Sequence, residues 1–192
     1  MPIKSDILII GSGMAGSIAA LTAADEGKHV IIITKTKNLK SGNSPHAQGG
    51  IAYSGIKDSP KKLKEDILKA GAGHCWNPAV DWISTKGPEL VKKILIDKFN
   101  IAFESKSGKG NGLQLTSEAA HTIKRIIYCA DKTGNVVQNT IIQKIRENPN
   151  ITITGNGQEF VQGTIDKDIY RKLKKKKSKK MKLKIFLINL KF

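Results

Sequence analysis

Cysteine is scarce in this sequence. Cys75 and Cys129 are the only two, with no C-x-x-C pair and no histidine at zinc-ligand spacing near them. A disulfide framework and a cysteine-based metal site are excluded, and the expectation is two reduced thiols in a cytoplasmic protein without metal. Long apolar runs are also missing. "IFLINL", Ile185 to Leu190, falls far short of the roughly 18 residues of a membrane span, so no span is expected. Only six residues precede the apolar run at Ile7, so no signal peptide is expected before the glycine turn. No internal repeat is present, which excludes a repeat array. Acidic residues are nearly absent from one end: residues 167–192 hold 12 Lys+Arg and one acid, a net +11 of the chain's formal +17. The body, residues 1–166, carries only +6, so the basicity belongs to a tail and no specific nucleic-acid partner is implied for the body.

What is present begins with "ILII", Ile7 to Ile10, followed by "GSGMAG". The apolar run reads as a buried parallel strand, and the Ala-rich stretch Met14 to Glu26 reads as a helix. In such a strand-turn-helix unit, Gly11 allows the tight turn, Gly13 lets the backbone approach a pyrophosphate, and Gly16 lets the helix pack close to the strand. The helix N-terminus then offers N–H groups to phosphates. A second strand, His29 to Thr34, closes a β-α-β unit. Its end lacks the acidic residue that often takes ribose hydroxyls and reads Thr34-Lys35 instead. Lys35 is either a donor to ribose or phosphate oxygens or a solvated strand-end charge.

Further along, "KSGNSPHAQGGIAYSG", Lys40 to Gly55, has the composition of an ordered loop. Ser59-Pro60 starts a helix with Leu63, Ile67 and Leu68 as its apolar stripe, ending at Ala70 to Gly73. Asn77-Pro78 starts another, which Gly87-Pro88 interrupts before a further helix with Leu90, Val91, Ile94 and Leu95 inward. Asn100 to Ser105 suggests a strand, and Ser105 to Gly112 a flexible turn. Thr133-Gly134 precedes a helix with Val137, Ile141 and Ile145 on one face, closed by Asn148-Pro149. "NITIT" is then a strand, and Glu159 to Asp166 pairs beside it. The whole reads as an α/β fold with a Rossmann-like parallel sheet.

Six stretches together carry a resemblance: "DILIIGSGMAG" from Asp6, "SGNSPHAQGGIA" from Ser41, "EDILKAGAGHC" from Glu65, "LTSEAAHTIKRI" from Leu115, "ADKTGNVVQNT" from Ala130 and "NPNITI" from Asn148. In this order they resemble the flavoprotein family of L-aspartate oxidase and the succinate dehydrogenase and fumarate reductase flavoprotein subunits, with L-aspartate oxidase the nearer likeness. The resemblance implies a Rossmann-like FAD-binding domain, incomplete at the C-terminus. It places Ser12, Gly13, Met14 and Ala15 at the FAD pyrophosphate and Lys35 at the strand end. The loop Asn43, Ser44, Ala47, Gln48, Gly49 and Gly50 would wrap the isoalloxazine side. Respiratory members usually carry a flavin-linked histidine five residues before the Gln of A-Q-G-G; here that position is Asn43, an amide that is no nucleophile, so the FAD is expected to be non-covalent. His46 is expected to be a loop or packing residue.

The same resemblance puts Glu118 at the carboxylate that orients the amino group of L-aspartate, and His121 at a family histidine that either touches ligand or braces the loop. Ala119-Ala120 and Ile123 depart from the family's glycines and second histidine. The implied activity is oxidation of L-aspartate to iminoaspartate in NAD biosynthesis, with quinolinate synthase as a pathway partner. Family members are more than twice as long, and their later segments supply the cations that clamp the dicarboxylate, so this chain is expected to be an N-terminal part, inactive alone. Residues 1–166 form the domain part; 167–192 form a Lys-rich tail outside the fold. Three readings of the tail stay open: a frameshift or truncation remnant, a basic tether, or a C-terminal helix. A succinate- or fumarate-type flavoprotein fragment and a non-catalytic nucleotide-binding module are the alternative functions.

Overall fold

A computed structural model of the chain describes residues 4–106, 112–118 and 120–155. The expected strand at Glu159 to Asp166, the domain boundary at 166, the Lys-rich tail and most of the turn before Gly112 lie outside these residues. The described residues belong to two compact units. One takes in residues up to Ser44 and those from Ile141 onward; the other is Pro45–Thr140.

The first unit contains a parallel sheet. Strand β1 (Ile7–Ile10) leads through helix α1 (Met14–Asp25) to β2 (Val30–Thr34), and β5 (Ile151–Gly155) lies on the other side of β2. Ile7 stands opposite Val30, and Val30 opposite Ile151, with all three strands parallel. Parallel neighbours need crossovers, and α1 supplies the first. Every residue of β2 is buried, as a central strand with a near-continuous apolar run should be. Helix α1 buries Gly16, Ser17, Ala20, Leu21 and Ala24, a stripe of mostly small residues at helical spacing.

The expectation that Ile7 to Ile10 is a buried strand needs correction. Ile9 is buried, but Leu8 and Ile10 are 47% and 46% exposed. Successive side chains point to opposite faces, so Leu8 and Ile10 share the face away from Ile9, and at β1 that face is open to solvent.

In the second unit, β3 (Ile51–Ala52) pairs antiparallel with β4 (Ile126–Ile127). Helix α2 (Pro60–Ala70) begins where Ser59 accepts the Lys62 amide hydrogen on its hydroxyl, with Pro60 in the first helical position. Helix α3 (Asn77–Leu90) packs on α2. The expected break at Gly87-Pro88 does not occur: the helix runs through Pro88 and continues as wider π-helical turns over Val91–Lys98, where Leu95 is buried. A proline lacks the amide that would donate one turn back and crowds that preceding turn, a cost the helix absorbs here without ending.

The expected strand at Asn100 to Ser105 is also absent. Ile101 and Phe103 are buried in alternation, but Asn100 has φ +50° and the Phe103 amide donates to the Ile101 carbonyl, a tight turn that interrupts any ladder. Only Ser105 makes a bridge, to Leu113. Helix α4 (Thr133–Glu147) buries Val137, Ile141 and Ile145, the face read from the sequence. Among the described residues no helix is long and apolar enough to cross a membrane.

Ile32 tests the central position of β2, because its side chain is fully buried. Ile32→Ala should lower the unfolding free energy by about 2–5 kcal/mol, read as a shifted urea midpoint at unchanged slope.

Candidate functional site

Two clusters of chemistry-bearing residues stand out, one in each unit. In the first, the chain turns sharply after β1 because Gly11 adopts φ +103°, which a side chain would resist. Helix α1 then begins after Gly13, which has no side chain of its own to cap the first turn. A Cβ at Gly16 would collide with the Gly11 carbonyl and press on Ile9, so only glycine lets α1 sit this close to the strand. The Ser12 hydroxyl donates to the Leu39 carbonyl at 2.9 Å, and the Ser17 hydroxyl donates to the Ser12 carbonyl at 3.0 Å. Those side chains stiffen the turn and leave its backbone as the surface offered to a ligand. The Met14 amide donates to the Ser44 hydroxyl at 3.1 Å, which ties the loop after β2 to the helix start. Ala15 lies exposed in the first turn, Lys35 is exposed just past β2, and Asn43 is exposed beside Ser44.

The second cluster gathers around the A-Q-G-G stretch. The Ala47 carbonyl accepts the Gly134 amide hydrogen at 2.8 Å, at the start of α4. Pro45, His46, Ala47 and Gln48 face Asp131, Lys132 and Asn135 across an open cleft of about 520 Å³. His46 is exposed in a 3-10 turn, Ser44–His46, so it is a loop residue and not a packed one. Gly50 leads into β3. The carboxylate of Glu118 rests on Gly49, close enough that any Cβ there would collide with it. Glu118 itself is exposed, and its carbonyl accepts the His121 amide hydrogen at 2.9 Å.

Beneath this turn lies an ion-pair group that sequence reasoning missed. The Arg125 side chain has no solvent exposure. Its Nε and Nη2 donate to the two oxygens of Asp58 at 2.8 and 3.0 Å, and its Nη1 donates to Asp66 Oδ2. Asp66 also accepts from the amide and hydroxyl of Thr122, each at 3.0 Å. Nη1 further lies 3.0 Å from His121 Nδ1. Burial pushes both carboxyls up, but the hydrogen bonds to Arg125, with those from Gly55 and Ser59 to Asp58 and from Thr122 to Asp66, outweigh it and hold both below the ordinary carboxylate value. For Arg125, burial disfavours the charge, and the two aspartates more than restore it. A signal was available in the sequence: Asp66 falls three residues after Leu63, on the apolar stripe of α2.

A family described as an FAD binding domain matches residues 6–158. The chain belongs to that family. FAD is the family's cofactor, and the glycine turn fits it, since Gly11 takes a backbone angle that side chains resist and a Cβ at Gly16 would strike the Gly11 carbonyl, so the turn keeps its backbone clear of side chains at the start of α1. An L-aspartate oxidase from Synechocystis sp. is 37% identical over 149 residues, 77% of this chain and 26% of that protein. One from Neisseria meningitidis serogroup B is 39% identical over 155 residues, 80% of this chain and 29% of that protein. The chain therefore spans between a quarter and a third of the length of these relatives. Among solved structures, Mycobacterium smegmatis Sdh1 in complex with UQ1 matches with a TM-score of 0.70 at 22% identity, over 78% of this chain and 27% of that one. An E. coli quinol fumarate reductase matches with a TM-score of 0.69 at 21% identity, over 79% and 26%. These likenesses show the fold, an α/β FAD-binding domain with a parallel sheet.

The ion-pair group generates a stability prediction. Arg125→Met strands two buried carboxylates and should cost about 3–5 kcal/mol in urea unfolding. In the unsubstituted chain the depressed folded-state values of Asp58 and Asp66 make their contribution complete above the unfolded carboxyl value of about 4 and lost as pH falls through the lower folded values. Stability should thus drop with acid below about pH 4, with a flatter curve in the variant over the same window.

Proposed function

We propose that this chain is the N-terminal, FAD-binding part of an L-aspartate oxidase, the enzyme that converts L-aspartate to iminoaspartate in the route to NAD. The observation that carries the reading is the Glu118 carboxylate lying on Gly49, which sets an anion against the A-Q-G-G loop. An ionised carboxylate suits the ammonium of an amino acid and gives a plain dicarboxylate such as succinate nothing to bind. FAD, when bound, supplies the hydride acceptor. The chain's own part is to hold the pyrophosphate on the backbone of Ser12 to Ala15, to present the loop from Asn43 to Gly50, and to orient the substrate amine through Glu118. Lys35 serves the ribose or phosphate oxygens.

Asn43 cannot form a covalent flavin link, so the cofactor is held without one. Removing a hydride also requires both substrate carboxylates to be fixed by convergent cations in a water-poor pocket. Among the described residues the arginines are Arg125, committed to its aspartates, and Arg146, exposed on α4. We therefore infer that residues 1–166 bind FAD and that the chain alone does not turn over, with 167–192 a tail outside the domain. The reactive iminoaspartate product makes quinolinate synthase the pathway partner. Cys75 and Cys129, both free thiols, fit a cytoplasmic setting.

Three measurements check this reading. Acid precipitation of the FAD-loaded chain should leave the yellow colour in the supernatant, and Gly16→Val should abolish FAD binding. Titration of the FAD-loaded chain, followed by flavin absorbance, should show L-aspartate binding about tenfold more tightly than succinate, the worth of one charge-assisted hydrogen bond. Glu118→Gln should remove that preference, and equal affinity in the unsubstituted chain would refute the substrate assignment.

A further inference from the structure

We propose that Arg125, through its hydrogen bond to Nδ1, holds His121 as the Nε2–H tautomer and so makes this ring a donor to a substrate carboxylate beside the Glu118 anion. Heavy-atom positions ordinarily leave a histidine tautomer undecided. Here the partner decides it, because a guanidinium has five N–H donors and no acceptor. A ring hydrogen on Nδ1 would face another N–H at 3.0 Å. The neutral ring that fits therefore carries its hydrogen on Nε2.

The guanidinium cannot turn away to relieve a mismatch. Asp58 takes Nε and Nη2 as a two-pronged pair, and Asp66 takes one hydrogen of Nη1. The other hydrogen of Nη1 is thereby aimed at His121. Asp66 is held in turn by the Thr122 amide and hydroxyl, so the residue next to His121 is anchored to the same carboxylate. Backbone geometry adds a second constraint, since the His121 amide donates to the Glu118 carbonyl. Two side chains three residues apart thus have opposite and fixed characters. Glu118 can only accept, and the outer nitrogen of His121 can only donate. An α-amino dicarboxylate offers a group for each, an ammonium for the first and a carboxylate for the second. Arg125 is a positioning residue in this arrangement. The carboxylate assignment rests on the reading of this segment as substrate-facing; the tautomer assignment does not.

The test is ring-nitrogen NMR on the 192-residue chain with ¹⁵N-labelled histidine, at about pH 8, where an ordinary imidazole is neutral. His29, His46 and His74 are exposed and serve as references for the tautomer mixture that solvent permits. His121→Gln identifies the His121 signals by their loss. The expected result is a single Nε2–H tautomer at His121, set apart from the mixture at the three references. A hydrogen on Nδ1, or the reference mixture, overturns the proposal without any further variant. Arg125→Lys retains the charge but cannot serve three partners in a plane, and should return His121 to the mixture; a folded Arg125→Lys chain with His121 still locked would overturn Arg125 as the cause. Succinate, which has carboxylates and no ammonium, should shift Nε2 of His121 in the FAD-loaded chain and leave the references in place. No shift at His121 overturns the carboxylate assignment. The tautomer measurement needs neither flavin nor substrate, so its failure is distinguishable from failure of the oxidase reading.

Discussion

The geometry of the second unit's site depends on one buried cation. Arg125 joins three pieces of chain that are far apart in sequence: the loop at Asp58, helix α2 at Asp66 and the turn that carries Glu118 and His121. Taking a guanidinium and two carboxylates out of water is costly, and their attraction about repays that cost, so such a group adds little net stability when complete. Its effect is on uniqueness. Any displacement of the turn, of α2 or of the loop leaves a charge buried without a partner, and that penalty is several times larger than the loss of a surface contact. The network therefore fixes the His121–Thr122 end of this segment, while the Glu118 side chain is exposed.

The glycine turn of the first unit reaches rigidity by another route. Its glycines leave no side chains to position, so fixing the backbone is the task. Buried hydroxyls perform it from within: Ser12 on Leu39, Ser17 on Ser12, and Thr34 on Thr36 at the end of β2. The hydroxyls tie the turn to the segment after β2 and to α1, and fold the end of β2 onto the residues that follow it. Backbone amides at the start of α1 are then presented by a fixed frame. This suits a phosphate ligand, which is recognised by the direction of N–H groups and by charge, not by side-chain shape.

The two halves of the proposed chemistry are thus organised differently. Around the glycine turn, neutral hydroxyls hold backbone; next to Glu118, a charged network holds Arg125, His121 and Thr122. A cofactor that is always present tolerates a site built from main chain. An amino-acid substrate that must be told from a plain dicarboxylate calls for groups of defined charge and donor character, because specificity between similar molecules comes from a partner left unpaired.

The sequence by itself determined the elements whose signals are local. Period and turn chemistry sufficed for α1, β2, α2, α4 and β5, since an apolar run between glycines, a Ser-Pro helix start and an Ile/Val stripe each restrict the chain over a few residues. The glycine turn was legible for the same reason, as its spacing encodes its geometry. Only the tertiary structure decided the rest. Pro88 stays inside a helix, and Asn100 to Ser105 turns at Ile101–Phe103 and forms no strand beyond the single bridge of Ser105, because packing and a local turn outweigh weak propensities. The strands β3 and β4, two residues each, are too short to carry a periodic signal. Arg125 and Asp66 lie inside stretches that carry the family resemblance, and nothing next to them or to Asp58 marks the three as partners. Their meaning lies in pairs separated by 67 and 59 residues in the chain, and no pattern along the sequence records which distant charges burial will bring together.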